Sequence, residues 1–502
     1  MSGAPAPLHA ARSDAAEPVT AGAPVAERER ASRGHDLAFA LGLFGVSFAL
    51  RVLVVRAFGV EPIWDGAFYH RGAISIAEGN GYSEAGWIGG QPGRLPWSHY
   101  PVGYSALLGA AYKLFGMSVR VAPLINAGVG ALTAVLGFLF GLELLGRARA
   151  RVAGGLLALH PGLVLYCTLF MTEPLAGFLV LLTGYLAWKL GPRRWAALPC
   201  GVVLALSAFV RPQSLLTAPL LLLLFRGSWL RRSTQTLGAA AISLCLIAPW
   251  SIRNCLVLDG CALISTNGGW NLAIGALSET GRFRPLTPDD GCRGVDGPVA
   301  QDRCWAQLGL AAIRRDPWTW LSRIPSKLSH TYNHESFAVA YLAEAQPAAW
   351  ERDHEWRVMN VMTALHHALM FAAALGAVSR LSFRSWRQRW PQAAVVVGLL
   401  LFVAYALSLP ERPLYWVGVL IPVLGLLRLP GAPPLNPGLV YLFGLLAVTS
   451  LTHMLFFGDD RYHLAVSPVF CLLAAAAFRA PAQPMPDAAS PIIGPPRAAT
   501  PL

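Results

Sequence analysis

Residues 118–145 read SVRVAPLINAGVGALTAVLGFLFGLELL, and residues 146–151 continue as GRARAR. The first stretch carries charge only at Arg120 and Glu143, near its two ends. As a helix it is long enough to cross the hydrocarbon core of a bilayer, which is about 30 Å thick. A helix is required because unpaired backbone N–H and C=O groups are too costly in lipid. The stretch therefore predicts a transmembrane helix, and the arginines after it indicate a cytoplasmic end.

Similar apolar runs recur along the chain of 502 residues, of which 55% are hydrophobic and 13% charged, with a mean hydropathy of +0.48. They predict an all-α polytopic membrane protein of about twelve transmembrane helices, with interfacial helices and two extracytoplasmic loop segments. The predicted spans are 36–58, 118–145, 152–170, 174–190, 195–210, 215–225, 236–250, 358–378, 393–409, 414–427, 438–457 and 463–478.

Arginine-rich connections set the predicted orientation. Four of them carry twelve arginines and no Asp or Glu, so the positive-inside rule places them in the cytoplasm. They are 146–151, 191–194, 226–233 and 379–390. The net charge of +13 then reflects topology. Because the sequence has no contiguous basic face with stacking aromatics, no nucleic-acid partner is expected.

The organisation that follows is one membrane-embedded domain, 36–479, in a plasma (inner) membrane, with its functional residues on the extracytoplasmic side. Its outer segments are 59–116, which ends in an amphipathic stretch, and the larger 251–357. The polar N-terminal tail, 1–35, is predicted to be disordered and cytoplasmic. The Pro- and Ala-rich C-terminal tail, 480–502, is also predicted to be disordered.

Four of the eight cysteines fall in the large outer segment, where an oxidising compartment permits disulfides. Pairing between near neighbours would join Cys255 to Cys261 and Cys292 to Cys304. It is one of three connectivities that four cysteines allow. A zinc site is the alternative, although no CxxC spacing is present.

Polar motifs at the outer ends of the spans are the candidates for function. They bring two carboxylates, Asp65 and Glu173, and three arginines, Arg211, Arg253 and Arg461, to the same membrane face. Each alone has a structural explanation as a helix cap or a headgroup anchor. The motifs are 64–70 (WDGAFYH), 99–104 (HYPVGY), 172–174 (TEP), 211–212 (RP), 249–254 (PWSIRN) and 458–462 (GDDRY).

The order of these motifs resembles that of bacterial membrane-embedded glycosyltransferases of the C-type fold that use polyprenyl-phosphate sugars. The superfamily includes protein O-mannosyltransferases and lipid A aminoarabinose transferases. The resemblance covers about 36–478 and implies a catalytic carboxylate in the first outer loop, at Asp65, and a second outer acid at Glu173. The chain departs from the mannosyltransferase pattern of two adjacent acids, because Gly66 follows Asp65, and its outer cysteines are a second departure.

The chemistry fits these residues. A sugar on a lipid phosphate has a good leaving group, so one carboxylate that takes the proton of an acceptor hydroxyl suffices. A single displacement would invert the anomeric carbon. The departing phosphate needs cationic donors, preferably bidentate ones. The candidates are Arg461, Arg253 and Arg211, with Tyr462 as a hydroxyl donor and Lys327 as a further cation; His70, His99 and Tyr69 are candidates for positioning the acceptor.

Expected partners are a polyprenyl-phosphate-linked sugar, membrane lipids, and a glycan, lipid or protein acceptor. No cofactor and no metal site is predicted. A divalent metal stays open, because His330 and His334 would share a helix face, but a third ligand is missing. The alternative functions are a transporter or flippase for lipid-linked glycans, or a non-catalytic relative that binds lipid-linked sugars. The sequence has no GxxxxGK[ST] motif, which binds the phosphates of ATP, so ATP-driven transport is not supported.

Overall fold

The computed structural model describes residues 25–59, 61–88, 91–379, 386–427 and 436–478. It divides into two units, Met1–Gly42 and Leu43–Leu502, and the second contains everything described below except the first part of α1. The α-helices are α1 (Val25–Phe58), α2 (Trp64–Ala77), α3 (Val102–Phe115), α4 (Val121–Leu145), α5 (Arg147–Leu159), α6 (Pro161–Leu165), α7 (Glu173–Leu190), α8 (Ala197–Val210), α9 (Leu221–Leu224), α10 (Trp229–Val257), α11 (Gly268–Leu277), α12 (Pro298–Arg315), α13 (Pro317–Ser322), α14 (Ile324–Tyr332), α15 (Phe337–Ala345), α16 (Arg352–Ser379), α17 (Trp386–Ser408), α18 (Tyr415–Leu426), α19 (Pro437–Leu455) and α20 (Ser467–Ala477). Short 3₁₀-helices are Tyr166–Thr168, Arg194–Ala196, Pro212–Leu220, Pro288–Asp290, Pro347–Ala349 and Asp460–Val466.

Six helices in the described part of the chain are long and apolar enough to cross a membrane, which agrees with a polytopic membrane protein. A seventh span arises if α5 and α6, bent by 49°, count as one. The predicted number of twelve is not confirmed. Three predicted spans correspond to shorter apolar helices, and two more to α7 and α20. The six are Arg33–Phe58, Val121–Leu145, Trp229–Val257, Arg352–Ser379, Arg389–Ser408 and Pro437–Leu455.

The first helix of the structure extends beyond the first predicted span at its N-terminal end. Helix α1 begins at Val25, not at Asp36, because the residues before the apolar run are mostly good helix formers such as Ala, Glu and Arg. Residues 1–24 and 479–502 lie outside the described residues, so the disorder of the two tails stays a prediction.

A β-hairpin interrupts the predicted all-α fold in the first outer segment. Strands β1 (Ser83–Ile88) and β2 (Gln91–Pro96) pair antiparallel, with Ser83 opposite Pro96. The Arg94 side chain fastens the hairpin to α2, because Nη2 donates to Ser75 Oγ at 2.7 Å. These strands were not predicted, because apolar and polar residues do not alternate in this segment as they do in a typical strand.

A bend between α5 and α6 depends on a buried arginine in α1. Pro161 has no N–H, so the Leu157 carbonyl loses its usual helical partner. Arg51 replaces that donor: Nη2 bonds to Leu157 O and Nη1 to Ala158 O, each at 3.0 Å. Its side chain is fully buried. The guanidinium thus satisfies backbone carbonyls that would otherwise be unpaired in an apolar environment.

We expect Arg51→Met to destabilise the protein, because two buried carbonyls lose their donors. The loss should be about 2–4 kcal/mol, the cost of leaving such groups unpaired. Thermal unfolding of the purified chain in detergent measures it. The matched control is Arg56→Met, which removes an exposed arginine of the same helix. Equal melting temperatures for the two variants would contradict this role of Arg51.

Candidate active site

Asp65 is placed by an unusual backbone conformation at the start of α2. Trp64 has φ 46°, in the left-handed region that bulky residues rarely adopt. Its indole is held by a hydrogen bond from Nε1 to Glu344 Oε1 at 2.8 Å and by edge packing on Tyr341, with ring centroids 5.3 Å apart. Asp65 then occupies the first turn of the helix, where the helix dipole favours a negative charge.

The Asp65 carboxylate accepts two strong hydrogen bonds. The Tyr100 hydroxyl donates to Oδ1 at 2.7 Å, and Arg461 Nη1 donates to Oδ2 at 2.6 Å. Burial by itself raises the pKa of Asp65, but the Arg461 charge and the two hydrogen bonds outweigh it and leave the pKa below the ordinary value. Asp65 is therefore ionised at neutral pH and can accept a proton.

Arg461 comes from the 3₁₀-helix Asp460–Val466 and contacts two aromatic rings. Its guanidinium carbon lies 5.3 Å from the ring centroid of Phe337 and 5.0 Å from that of Tyr462. Nη2 donates to the Tyr462 hydroxyl at 3.2 Å. The Nε atom is buried and has no hydrogen-bond partner among the described residues. Of the five N–H donors of this guanidinium, the hydrogen bonds to Asp65 and Tyr462 use one on Nη1 and one on Nη2, so donors remain for an anion.

A second ion pair lies beside the first. Glu173, the first residue of α7, is fully buried and accepts a hydrogen bond from Arg211 Nη2. Arg211 Nε also donates to Thr172 Oγ1 at 3.1 Å. The Arg211 guanidinium lies 5.3 Å from the ring centroid of Tyr462, which therefore contacts both arginines of the site. Glu173 and Thr172 hold and orient the Arg211 guanidinium.

One cavity of about 660 Å³ connects these groups. Of the predicted site residues, it is lined by Asp65, Tyr69, His99, Glu173, Arg211, Arg461 and Tyr462. Its lining also contains many apolar side chains, among them Leu215, Leu216, Leu263, Ile274, Phe283, Phe456 and Phe457. Charged groups and an extensive apolar lining in one cavity suit a ligand with a polar head and an apolar chain.

Arg253 does not line this cavity. Its Nη2 donates to Tyr82 O at 2.8 Å and its Nη1 to Trp97 O at 2.9 Å, the two residues that flank the hairpin. The guanidinium lies 4.8 Å from the ring centroid of Trp250. Arg253 therefore fastens the hairpin to α10, and its donors to those carbonyls are not available to a phosphate.

Lys327 also lies elsewhere, against the predicted role in phosphate binding. It is fully buried, and Nζ donates to the carbonyls of Met454 at 3.2 Å and Leu455 at 3.4 Å. These carbonyls belong to the last turn of α19, where a cation is favourable. Burial, with a smaller effect of Arg323, lowers the pKa of Lys327 to about 8. Lys327 joins α14 to the end of α19.

The three candidates for positioning an acceptor separate into two groups. His99 and Tyr69 line the cavity and pack on Tyr100, with ring centroids 4.8 and 5.4 Å away. His70 is not among the lining residues. Its Nδ1 makes a hydrogen bond of 2.7 Å with the Tyr112 hydroxyl, and its ring packs on Phe170. It supports α2 from behind the cavity.

The four outer cysteines form two disulfides in the structure, Cys255–Cys261 and Cys292–Cys304. This is the pairing between near neighbours. The first joins the last turn of α10, which contains Cys255, to the loop after that helix, and the second ties a loop to α12. With all four sulfurs in disulfides, this pairing leaves no thiolate for the alternative zinc site.

Sequence analysis missed the two acids before Arg461. Asp460 Oδ2 accepts hydrogen bonds from the backbone N–H groups of Ser336 at 2.5 Å and Phe337 at 2.8 Å, and so caps α15. Asp459 is buried beside it. Burial raises the pKa of Asp459 to about 7; the Arg461 guanidinium opposes this rise and the Asp460 carboxylate adds to it. Both acids belong to the motif GDDRY. Asp460 caps α15, whereas burial raises the pKa of Asp459, and both effects depend on residues that are distant in sequence.

A third group of side chains was also missed. Glu335, His366 and His463 are buried and lie close enough together to hold a metal ion. His330 and His334, the pair singled out by their spacing, do not belong to this group. No sequence spacing could have indicated it, because the three residues come from three separate segments.

Comparison with known proteins found distant structural similarity. The oligosaccharyltransferase of Archaeoglobus fulgidus in its apo form matches 88% of this chain with a TM-score of 0.44 and 14% identity. AglB of that organism, in complex with an inhibitory peptide and a dolichol-phosphate, matches 89% with a TM-score of 0.40 and 12% identity. ArnT from Cupriavidus metallidurans bound to undecaprenyl phosphate matches 89%, with a TM-score of 0.34 and 14% identity.

The chain spans about half the length of the oligosaccharyltransferase chains (50%) and 76% of the ArnT chain. These solved structures are lipid-linked sugar transferases of the C-type glycosyltransferase fold, the class that the sequence motifs resemble. No family model and no curated protein matches the sequence. Because the identities and TM-scores are low, the function proposed below rests on the geometry of the site.

The raised pKa of Asp459 predicts a pH-dependent stability. The folded state binds this proton more tightly than the unfolded state, so stability falls as the pH rises from 3.8 to about 7. We expect Asp459→Asn to remove this fall and to be more stable than wild type at about pH 8, by about 1–2 kcal/mol. Thermal unfolding at about pH 5 and pH 8 measures it. Asp353→Asn, at an exposed position, should lose as much stability between about pH 5 and pH 8 as wild type does. An equal loss of stability in Asp459→Asn would refute the prediction.

Proposed function

We propose that the chain is an integral membrane glycosyltransferase that moves a sugar from a polyprenyl-phosphate donor to a lipid, glycan or protein acceptor. The reaction would take place on the extracytoplasmic face of the plasma (inner) membrane and invert the anomeric carbon. The observation that carries the proposal is the pairing of an ionised Asp65 with Arg461, whose Nε is a buried unpaired donor, in a cavity with extensive apolar lining.

The donor phosphate is proposed to bind at the two guanidinium groups. Arg461 offers its Nε, which has no hydrogen-bond partner within the described ranges, and its Nη2 lies 3.2 Å from the Tyr462 hydroxyl. Arg211, held by Glu173, supplies a second positive charge near the same tyrosine. Buried arginine donors form strong, oriented hydrogen bonds with phosphate oxygens. The apolar lining of the cavity would contact the first units of the prenyl chain.

In the proposed reaction, Asp65 takes the proton of the acceptor hydroxyl. The hydroxyl oxygen attacks the anomeric carbon, the bond from that carbon to the phosphate oxygen breaks, and the polyprenyl phosphate leaves with the electron pair. Arg461 and Arg211 stabilise the charge that develops on the phosphate. Asp65 has acceptor capacity for this step, because a carboxylate offers about four lone-pair sites and only two are used here.

The remaining lining residues receive supporting roles in this proposal. Glu173, predicted as a second catalytic acid, is a positioning residue, since its carboxylate is occupied by Arg211 and Thr172. His99 and Tyr69 flank Tyr100, which donates to Asp65, and are proposed to position the acceptor. No metal is needed for the steps proposed here.

A transporter or flippase for lipid-linked glycans is the alternative. Such a protein commonly has ionisable residues near the middle of the membrane that take part in transport. Arg51 is a buried cation within an apolar span, but its guanidinium is bound to carbonyls of α5. The charged groups that face the cavity favour chemistry over transport.

We expect Asp65→Asn to reduce transfer by about 10²–10⁴-fold, the usual contribution of a general base. The assay supplies membranes with a radiolabelled polyprenyl-phosphate sugar and measures label in the acceptor fraction. Asp353→Asn, at an exposed position, is the matched control and should retain wild-type activity. Equal transfer by wild type and Asp65→Asn would remove Asp65 from the mechanism. Movement of label across the membrane without transfer would favour the flippase.

We expect Arg461→Lys to raise the KM for the lipid-linked donor by about 10-fold or more, because lysine keeps the charge but loses the fork of donors. Arg253→Lys should leave this KM unchanged, since Arg253 lies outside the cavity. Donor titrations in the same assay distinguish the two variants. A larger effect at Arg253 than at Arg461 would mean that the phosphate binds elsewhere.

A further inference from the structure

Glu335, His366 and His463 form a buried cluster that the proposed reaction does not use. His463 Nε2 lies 2.9 Å from Glu335 Oε2, and His366 Nδ1 lies 3.8 Å from the same oxygen. The side chains come from the connection between α14 and α15, from α16, and from the 3₁₀-helix Asp460–Val466. All three ligand atoms lie within 4.8 Å of one another.

The far sides of both imidazole rings face backbone carbonyls at the end of α14. His463 Nδ1 lies 2.7 Å from Thr331 O, and His366 Nε2 lies 3.0 Å from Tyr332 O. A carbonyl oxygen can only accept a hydrogen bond, so each of these nitrogens carries the proton. In the neutral ring, the other nitrogen then has a free lone pair. These two nitrogens lie 2.9 Å (His463) and 3.8 Å (His366) from the same oxygen of Glu335.

The cluster therefore brings two lone pairs and a carboxylate together with no donor between them. His366 Nδ1 is buried and has no hydrogen-bond partner in the described part of the chain. A proton on His463 would satisfy the 2.9 Å contact with Glu335 but would leave His366 Nδ1 without a partner. A cation bound among the three atoms satisfies all of them.

We propose that Glu335, His366 and His463 bind one divalent transition-metal ion of the zinc class. Two imidazole nitrogens and one carboxylate oxygen, with one open position, are a common ligand set for such ions. Proton donation from the second ring nitrogen to a carbonyl is the usual support for a metal-binding histidine. The three ligands take no part in the chemical steps of the proposed transfer reaction.

The surroundings of Glu335 leave room for the ion. A cavity of about 440 Å³ reaches the cluster and is lined by Glu335 and His366, so it offers an entry path and space for a water ligand. Gly162 packs against the carboxylate: a Cβ atom there would lie 2.6 Å from Glu335 Oε1. Because residue 162 is a glycine, no side chain fills the space that the Glu335 carboxylate occupies.

The ion would have a positioning role for the cavity described above. His463 lies two residues after Arg461 in the same 3₁₀-helix, and the ion would tie that helix to α16 and to the connection between α14 and α15. Arg461 and Tyr462 would then be held from both ends of their segment. Metal binding should therefore raise the melting temperature of the chain without any substrate present.

The test measures metal content of the full chain purified in detergent. The protein is stripped with a chelator, incubated with Zn²⁺, desalted and analysed by plasma mass spectrometry. We expect one zinc per chain in wild type and a loss of most of it in His366→Ala and Glu335→Gln. The matched control is His367→Ala: it removes a neighbouring histidine whose Nε2 bonds to Asn333 O at 2.9 Å outside the cluster, and it should keep the zinc.

X-ray absorption at the zinc edge of the loaded wild-type chain tests the ligand set without any variant. We expect imidazole nitrogens and carboxylate oxygen at about 2.0–2.2 Å. The proposal is overturned if wild type retains no zinc, if His366→Ala and Glu335→Gln retain as much as His367→Ala, or if the spectrum lacks imidazole. Because none of these measurements uses a sugar donor, failure of the proposed transfer activity would leave their outcome unaffected.

Discussion

The ion pair between Asp65 and Arg461 is the contact on which the site depends. It joins the start of α2 to the 3₁₀-helix Asp460–Val466, and each charge offsets part of the cost of withdrawing the other from solvent at this partly buried position. The 3₁₀-helix is also where other distant parts of the chain meet, because Asp460 caps α15 and His463 contacts Glu335. A segment of seven residues thus fixes the first outer loop, the second outer segment and the last helix relative to one another.

The helices were largely predictable because hydrocarbon leaves the backbone few alternatives. The apolar runs at 118–145 and 438–457 match α4 and α19 within a few residues. Hydropathy could not foresee that Pro161 ends a helix inside a predicted span, nor that Arg51 would bind the freed carbonyls. The hairpin was missed for a related reason: its strands are short, and β2 is mostly exposed and carries no apolar pattern.

The sequence predicts at which end of a span each candidate residue lies, but not where that residue lies in the plane of the membrane. The predicted topology puts the outer ends of the spans at one level of the membrane, an orientation that stays a prediction, and Asp65, Glu173, Arg211 and Arg461 line one cavity. Arg253 shares that predicted level, yet its position in the plane is set by helix packing, which a single sequence does not reveal. The cluster around Glu335 was hidden for the same reason, since its members become neighbours only when three elements pack together.

The chain separation of the Asp65–Arg461 pair has a consequence for biosynthesis. The two residues are 396 positions apart, and a chain made from its N-terminus exposes Asp65 long before its partner exists. Throughout that interval the carboxylate must stay hydrated or find temporary partners. The pair can close only after nearly all the intervening helices have been inserted, so completion of the cavity reports that assembly of the whole bundle has succeeded. A chain that has not yet reached residue 461 lacks the guanidinium, so its cavity is incomplete.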